Sequence, residues 1–357
     1  MSRFIVCLLF LALSLLLIPA PTSARTWHVA PDSSGDALTI HAGCDSSNAG
    51  DTVVVACGTY YENGVDPKSG VTLMSETGKS DCVTIDAEWR SEVLIARRYV
   101  QPTKIVGFTL THGAPRGNWP GQGGGINCAD CASLTVEDCA LIDNVADYGG
   151  GISSTFSYLS VIDCRFSGNR AVCGGGGLRL SGGPAVIVTG CTFDGNYSYD
   201  GGAVLCGPGG GLTMSNCTLF GNMADNSGGG ICLTELAQWV TITNTLIASN
   251  SRGEGIWWDG AGTVKTTCCD IWDNAGGDWV GPLASRPGTK GNFSLDPRFC
   301  DPTTGNLALC SSSPCLSGNH PADYNCGGFI GAFDEGCECN MGVQPTTWGC
   351  VKALFRR

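Results

Sequence analysis

Four side chains of this 357-residue chain are spaced to do chemistry together: Asp138, Asp163, Arg165 and Asp194. Asp163 and Arg165 flank Cys164 in a segment whose alternate residues, Cys164 and Phe166, are apolar, so the two charged groups point away from the core. Asp138 holds the position of Asp163 one sequence unit earlier, and Asp194 follows one unit later. Two carboxylates stacked one unit apart share a proton or a cation, and an arginine beside them holds or deprotonates an acidic sugar. A solvated face on which Arg165 screens its acids accounts for the same residues. Three indoles form a second set. Trp257 and Trp272 are expected to face outward and Trp119 to sit in a loop, where they would stack on sugar rings or on a partner protein. Packing beneath a closing segment around Trp279 is the alternative for the first two.

The elements that must carry these residues are repeats. In Cys139-ALIDN, Cys164-RFSGN, Cys191-TFDGN, Cys217-TLFGN, Thr245-LIASN and Cys269-DIWDN a small residue stands five before an asparagine. The asparagines are Asn144, Asn169, Asn196, Asn222, Asn250 and Asn274, in steps of 24 to 28 residues. A glycine-rich turn ending in Ile126, Ile152, Leu178, Val204, Ile231 and Ile256 keeps the same pace. Within a unit the apolar residues pair at spacing two, and the phase shifts between pairs, so short strands alternate with bends. Three strands and three bends per unit of about 26 residues describe one coil of a parallel β-helix, coils stacking about 4.8 Å apart. The asparagines then form a structural ladder at one bend, where Asn tolerates a left-handed backbone. Leu134, Leu159, Val186, Leu212, Val240 and Val264 are expected to point inward, with Leu141, Phe166, Phe193, Leu219, Ile247 and Ile271. The column Cys139, Cys164, Cys191 and Cys217 supports two readings: disulfides between coils, or buried thiols packed as small hydrophobes. Cys44 and Cys57 flank a short turn and are expected to pair.

Composition agrees. Gly contributes 53 residues and Cys 22, charged residues are 15%, and the net charge is −12. So much glycine disfavours long helices, and 20 Lys+Arg against 32 Asp+Glu excludes a nucleic-acid surface. The first 24 residues read as a cleaved signal peptide: Arg3, the apolar run Phe4–Ile18, and Thr22-Ser23-Ala24 before Arg25. The protein is thus expected to be exported, extracellular or on the outer surface, with no membrane-spanning segment in the mature chain, and its cysteines are free to pair. Removal of Cys7 leaves an odd number of them. No metal site is expected, because the four histidines lack partners at ligand spacing and Cys128-x-x-Cys131 stands alone.

The GGGI and GGAV turns with the FSGN and FDGN units, over residues 123–274, resemble the repeats of the polymorphic outer membrane protein family. Residues 27–63 resemble the opening coil of secreted pectin-lyase-like β-helix proteins, and Asp296–Phe333 their closing segment. The resemblance implies an all-β, right-handed, single-stranded parallel β-helix of about nine coils. A short helix around Leu38–Cys44 would cap its start, with Thr52–Ala56 as first strand and a Cys-rich C-terminal cap. The chain divides accordingly into a signal peptide (1–24), an N-terminal cap with degenerate coils (25–122), regular repeats (123–280), a closing segment (281–339) and a tail of unassigned role (340–357).

A lyase of this resemblance needs a basic residue and calcium-binding carboxylates, and a hydrolase two or three clustered carboxylates. The motifs NTD, GHG and RxK are missing, and Trp257-Trp258-Asp259 lacks the histidine of a WxDH stretch. The sequence therefore favours a binding, adhesin-like or structural role toward a polysaccharide or cell-surface partner, without a cofactor. The alternative is a polysaccharide lyase or glycoside hydrolase acting on an acidic polysaccharide through Asp138, Asp163, Arg165 and Asp194. Calcium belongs to the lyase reading only.

Overall fold

The computed structural model describes residues 23–115, 120–234, 237–321 and 325–339. The expected signal peptide, apart from its last two residues, the tail 340–357 and Trp119 lie outside them. The chain winds into a parallel β-helix whose strands stack into four sheets along one axis. Sheet A has ten strands, from Thr26–Val29 to Thr263–Thr267, and sheet B nine, from Gly58–Tyr60 to Asp270–Trp272. Sheet C has seven, from Leu94–Arg97 to Ile256–Trp258. Sheet A thus counts one more coil than the nine expected from the sequence.

Four consecutive coils have four strands, not three. Between the asparagine bend and the glycines runs an additional strand, and these form sheet D: Val145–Tyr148, Arg170–Gly174, Tyr197–Asp200 and Met223–Ser227. The chain passes A, B, D, C in each of these four coils. The inward columns hold in register: Leu134 pairs with Leu159, Val186 with Leu212, Leu212 with Val240 and Val240 with Val264. Leu141, Phe166, Phe193, Leu219, Ile247 and Ile271 form the column from sheet B, all fully buried. Phe166 and Phe193 stack face to face, 4.5 Å between centroids. Each such side chain contributes about 1.5–3 kcal/mol by leaving water.

The asparagine ladder is continuous from Asn144 to Asn274. Asn169 Nδ2 donates to Leu141 O at 2.8 Å and to Asn196 Oδ1 at 3.0 Å, and the Asn169 backbone N–H donates to the same oxygen at 3.1 Å. Asn196, Asn222 and Asn250 repeat the contact with the next coil. The left-handed residue at this bend is the one before each asparagine. Asp143 (φ 52°), Gly168 (64°), Gly195 (61°), Gly221 (66°), Ser249 (53°) and Asp273 (53°) take the strain, which corrects the assignment made from sequence. The D-to-C turn is tighter. Gly149 has φ 65°, and a Cβ there would stand 2.3 Å from Ile152 O, so only glycine fits.

The start of the helix is capped as expected in kind but not in place. The strand Thr26–Val29 precedes the helix and pairs in parallel with Thr52–Val55, so Thr52–Ala56 is the second strand. The helix Ile40–Ser46 follows Thr39, whose side chain caps it by accepting from Ala42 N, and buries Ile40 and Cys44 over the open core. Cys44 is therefore a buried thiol, not the partner of Cys57. Cys57 bonds Cys82, 25 residues on, which is one coil away and directly beside it. The ladder cysteines Cys139, Cys164, Cys191 and Cys217 are buried thiols too, not inter-coil disulfides. Each donates its S–H to the carbonyl two residues back, as Cys139 does to Glu137 O at 3.2 Å.

The closing segment does not simply stopper the far end. It folds back along the outer face of the last sheet B strands, where Ile330, Leu316, Cys315 and Leu309 build a second core with Leu246, Ala248 and Phe293. Gly331 N donates to Asn244 O at 2.8 Å, and Ala332 N to Thr218 Oγ1 at 2.9 Å. Three disulfides secure it: Cys268–Cys326, Cys300–Cys337 and Cys310–Cys339. No helix among the described residues is long and apolar enough to cross a membrane.

Candidate functional site

The acidic patch assembles at the bend between sheets A and B. Asp138 and Asp163 are left-handed there (φ 51° and 50°) and stack one coil apart, Asp138 N donating to Ile162 O at 3.1 Å. Arg165 pairs across the sheet with Thr192, and Asp194 lies two residues along, opposite Ser167. The patch is largely neutralised from within. Lys79 Nζ reaches Asp138 Oδ1 at 2.7 Å, Lys104 Nζ reaches Glu137 Oε2 at 2.7 Å, and Arg165 Nη2 lies 3.5 Å from Asp194 Oδ2 and 3.3 Å from Ser167 Oγ. Of the three aspartates, Asp163 alone has no cationic partner among the described residues. Partial desolvation and the carboxylates of Asp138 and Glu137 raise its pKa. Arg165 is thus held by Asp194, and the patch offers one unpaired carboxyl rather than an acid and base flanking a bond. Lys79 was not legible as a member; it lies 59 residues from Asp138.

The indoles divide. Trp257 faces outward on sheet C and is half-buried. Trp272 packs beside Phe220 and Phe299 against the second core, beneath the closing segment. Trp258 is part of the main core's margin and donates its Nε1 proton to Ala261 O at 2.6 Å. The group Cys57, Glu76 and Cys82 has metal-ligand reach, but the Cys57–Cys82 disulfide consumes both thiolates.

Two constellations were missed by sequence reasoning. The first is a seam. The outward column of sheet C runs through Asn127, Ser153, Arg179 and Leu205, and the ends of the sheet D strands lean against it. Asn127, Ser153 and Leu205 are buried although they point away from the core. Gly174 lies directly against Leu205, since a Cβ there would stand 2.2 Å from Leu205 Cδ2. In this seam Arg179 is half-buried, its guanidinium 4.6 Å from the Tyr148 ring centroid and its Nη1 only 3.5 Å from Thr155 Oγ1. It has no carboxylate partner among the described residues, and burial pulls its pKa down, opposed only by the Tyr148 phenol. Gln122, Ser153 and Thr155 form a hydroxyl–amide cluster beside it. Its place between the inward Leu178 and Leu180 turns Arg179 outward, and the fourth strand, which the sequence reading did not foresee, sets its depth.

The second constellation is Asp86, Trp89 and His112. His112 Nδ1 is 3.0 Å from Asp86 Oδ1, and the Trp89 ring lies 4.6 Å from the imidazole. Asp86 and His112 are 26 residues apart, so the coil spacing alone was the signal that relates them.

A family model described as a right handed beta helix region matches residues 100–271. Metabotropic glutamate receptor-like protein R of Dictyostelium discoideum is 31% identical over 112 residues, which are 30% of this chain and 7% of that protein. The chain therefore spans a small part of the curated relative it matches. Among solved structures, pectate lyase Pel9A aligns over 88% of this chain and 97% of its own, at 13% identity and a TM-score of 0.42. The pectin methylesterase of Aspergillus niger aligns over 74% and 92%, at 15% identity and 0.38.

Proposed function

We propose that this protein is an extracellular binding β-helix that holds an acidic saccharide at the seam between sheets D and C, with Arg179 facing the ligand's carboxylate or sulfate. The observation that carries the proposal is the state of Arg179: a half-buried guanidinium without a counter-charge among the described residues, in a chain of net charge −12. Burying an uncompensated cation is costly, and a bound anion removes that cost while using the planar donors in pairs. The Tyr148 ring beneath Arg179 holds the guanidinium in place, and the Ser153, Thr155 and Gln122 cluster supplies hydroxyl-directed hydrogen bonds suited to a sugar. Four disulfides among the described residues accord with an oxidising destination. The test is binding of acidic polysaccharides (polygalacturonate, alginate, a sulfated glycan) against neutral ones. The wild type should bind the acidic members, and Arg179→Ala should weaken this by at least about tenfold, the equivalent of one charge-assisted contact. Equal binding by Arg179→Ala would sink the proposal.

A second reading, catalysis on the same class of polymer, is favoured by one feature. Asp86 orients His112 beside an indole, and an imidazole so held is equipped as a general base. Release of unsaturated products or reducing ends by wild type but not by His112→Ala would establish that reading. No release from a folded sample would dismiss it.

A further inference from the structure

One aromatic ring stands outside both constellations and is unfavourable twice over. Phe156 is 62% exposed, and its backbone is left-handed, with φ 48°. It occupies the bend from sheet C to sheet A. The N–H of Arg98 donates to Ala129 O, that of Asp130 to Thr155 O and that of Phe156 to Ser181 O, so Arg98, Asp130, Phe156 and Gly182 form one column along that bend. All four have positive φ. Glycine takes this conformation freely and aspartate with little strain, whereas a bulky apolar side chain is strained there. A strained residue kept at the surface points to use rather than to stability. The ring is laid down as a platform. A Cβ on Gly182 would stand within 2.9 Å of Cδ1, Cε1 and Cζ, nearest the middle one, so the glycine lies under one face of the ring and leaves the other to solvent. Ser157 fixes the bend: it is buried, and its Oγ donates to Thr155 O at 2.9 Å and accepts from Cys131 N at 3.0 Å. Tyr158 follows, 60% exposed, as a second ring at the same corner.

Two neighbours say what lies on it. Thr155, directly before Phe156, has its Oγ1 3.5 Å from Arg179 Nη1, so the platform is continuous with the Arg179 seam and within reach of a neighbouring unit of one saccharide chain. Asp130, one coil before Phe156, brings an exposed carboxylate that has no cationic partner among the described residues, and it opposes a second anionic group at the ring. We propose that the saccharide held at Arg179 is a mixed one, in which an acidic sugar faces the guanidinium and an uncharged neighbour stacks its C–H face on Phe156. This rests on the Arg179 reading and narrows it: the protein selects polysaccharides that alternate acidic and neutral sugars over homopolymers of uronic acid.

The test titrates the full chain, made in an oxidising host, with two oligosaccharides of equal length. One is a hyaluronan hexasaccharide, which alternates glucuronate with an uncharged amino sugar; the other is a hexamer of galacturonate. Wild type should bind the hyaluronan at least about tenfold more tightly, the equivalent of one stacked ring. Phe156→Gly, which relaxes the backbone, should bind both with equal affinity, and Phe156→Tyr should keep the preference. Arg179→Ala should weaken both by a common factor. An unchanged preference in Phe156→Gly overturns the platform and leaves the Arg179 reading standing. Loss of the preference in Phe156→Gly, with undiminished binding by Arg179→Ala, supports the platform and sinks that reading instead. Equal affinity of the wild type for the two probes, or binding of neither, would overturn the proposal. Self-association of the wild type that Phe156→Gly abolishes would assign the ring to a second copy of the chain and overturn it too.

Discussion

Ser198 stands in an inward column of alanines, Ala146, Ala171 and Ala224, and its buried Oγ has no hydrogen-bond partner. Replacing it with the residue of its neighbours removes an unsatisfied hydroxyl and opens almost no space. Ser198→Ala should therefore raise the urea midpoint, by about 1 kcal/mol of stability. The reverse holds one position class away. Asn196 receives the Asn169 N–H and side-chain amide and gives its own amide to Phe166 O and Asn222 Oδ1. Asn196→Ala strands several buried polar groups at once and should cost about 3 kcal/mol or more in the same measurement. The asparagine ladder was legible because one residue type recurred at one step. The strained residue beside it was not, because Asp143, Gly168 and Ser249 share a conformation and not a chemistry. Nor was Lys79, whose partner Asp138 belongs to a coil two windings on. Cys57 and Cys82 are separated by the step that the asparagines also keep, so coil spacing was the better guide than proximity to Cys44.

At the level of elements, the closing segment meets the last sheet B strand, Asp270–Trp272, through a buried carboxyl. Asp270 is fully buried, accepts from Leu295 N at 3.0 Å and from the Cys315 thiol at 3.2 Å, and burial pushes its pKa up to about 8. The unfolded value is near 3.8, so between about pH 4 and 8 the folded protein binds a proton that the unfolded chain has released. Stability from this group is present in full below pH 4, falls as pH rises through that window, and levels off above 8. Asp270→Asn should flatten the dependence, making the variant more stable than wild type at pH 8 and little different at pH 4, read from thermal midpoints. Parallel slopes for the two proteins would refute the assignment. Sheet D escaped the sequence reading for an elementary reason. Arg170–Gly174 and Tyr197–Asp200 bury only one or two residues each and shift register within the strand, so alternation is too short to register. The Arg179 seam was hidden with it.

Over the whole molecule the parallel sheets leave two ends, and an uncovered end is a template for another chain. At the start, the strand Thr26–Val29 and the helix Ile40–Ser46 cover Thr52–Val55 and the core behind it. A chain beginning at residue 50 should associate with itself in a concentration-dependent way, measured by light scattering, where the longer chain does not. A monomeric truncated form would show that the cap serves another purpose. This architecture was the most legible feature of the sequence, since two landmarks kept step over six units. The side-on docking of Ile330 and Leu316 was not, because the closing segment repeats nothing and its partners on sheet B lie up to 114 residues away.

The asparagine ladder makes the molecule a ruler with graduations. Residues 170–196 lead from one ladder asparagine to the next and return the backbone to the same bend, one coil of about 4.8 Å further on. Duplicating that stretch lengthens the rod by one mark and leaves every neighbour with the contact it had, whereas a residue inserted within a strand turns the rest of that strand to the wrong face. Size in such a protein is countable, and kin of different reach are expected to differ by whole marks.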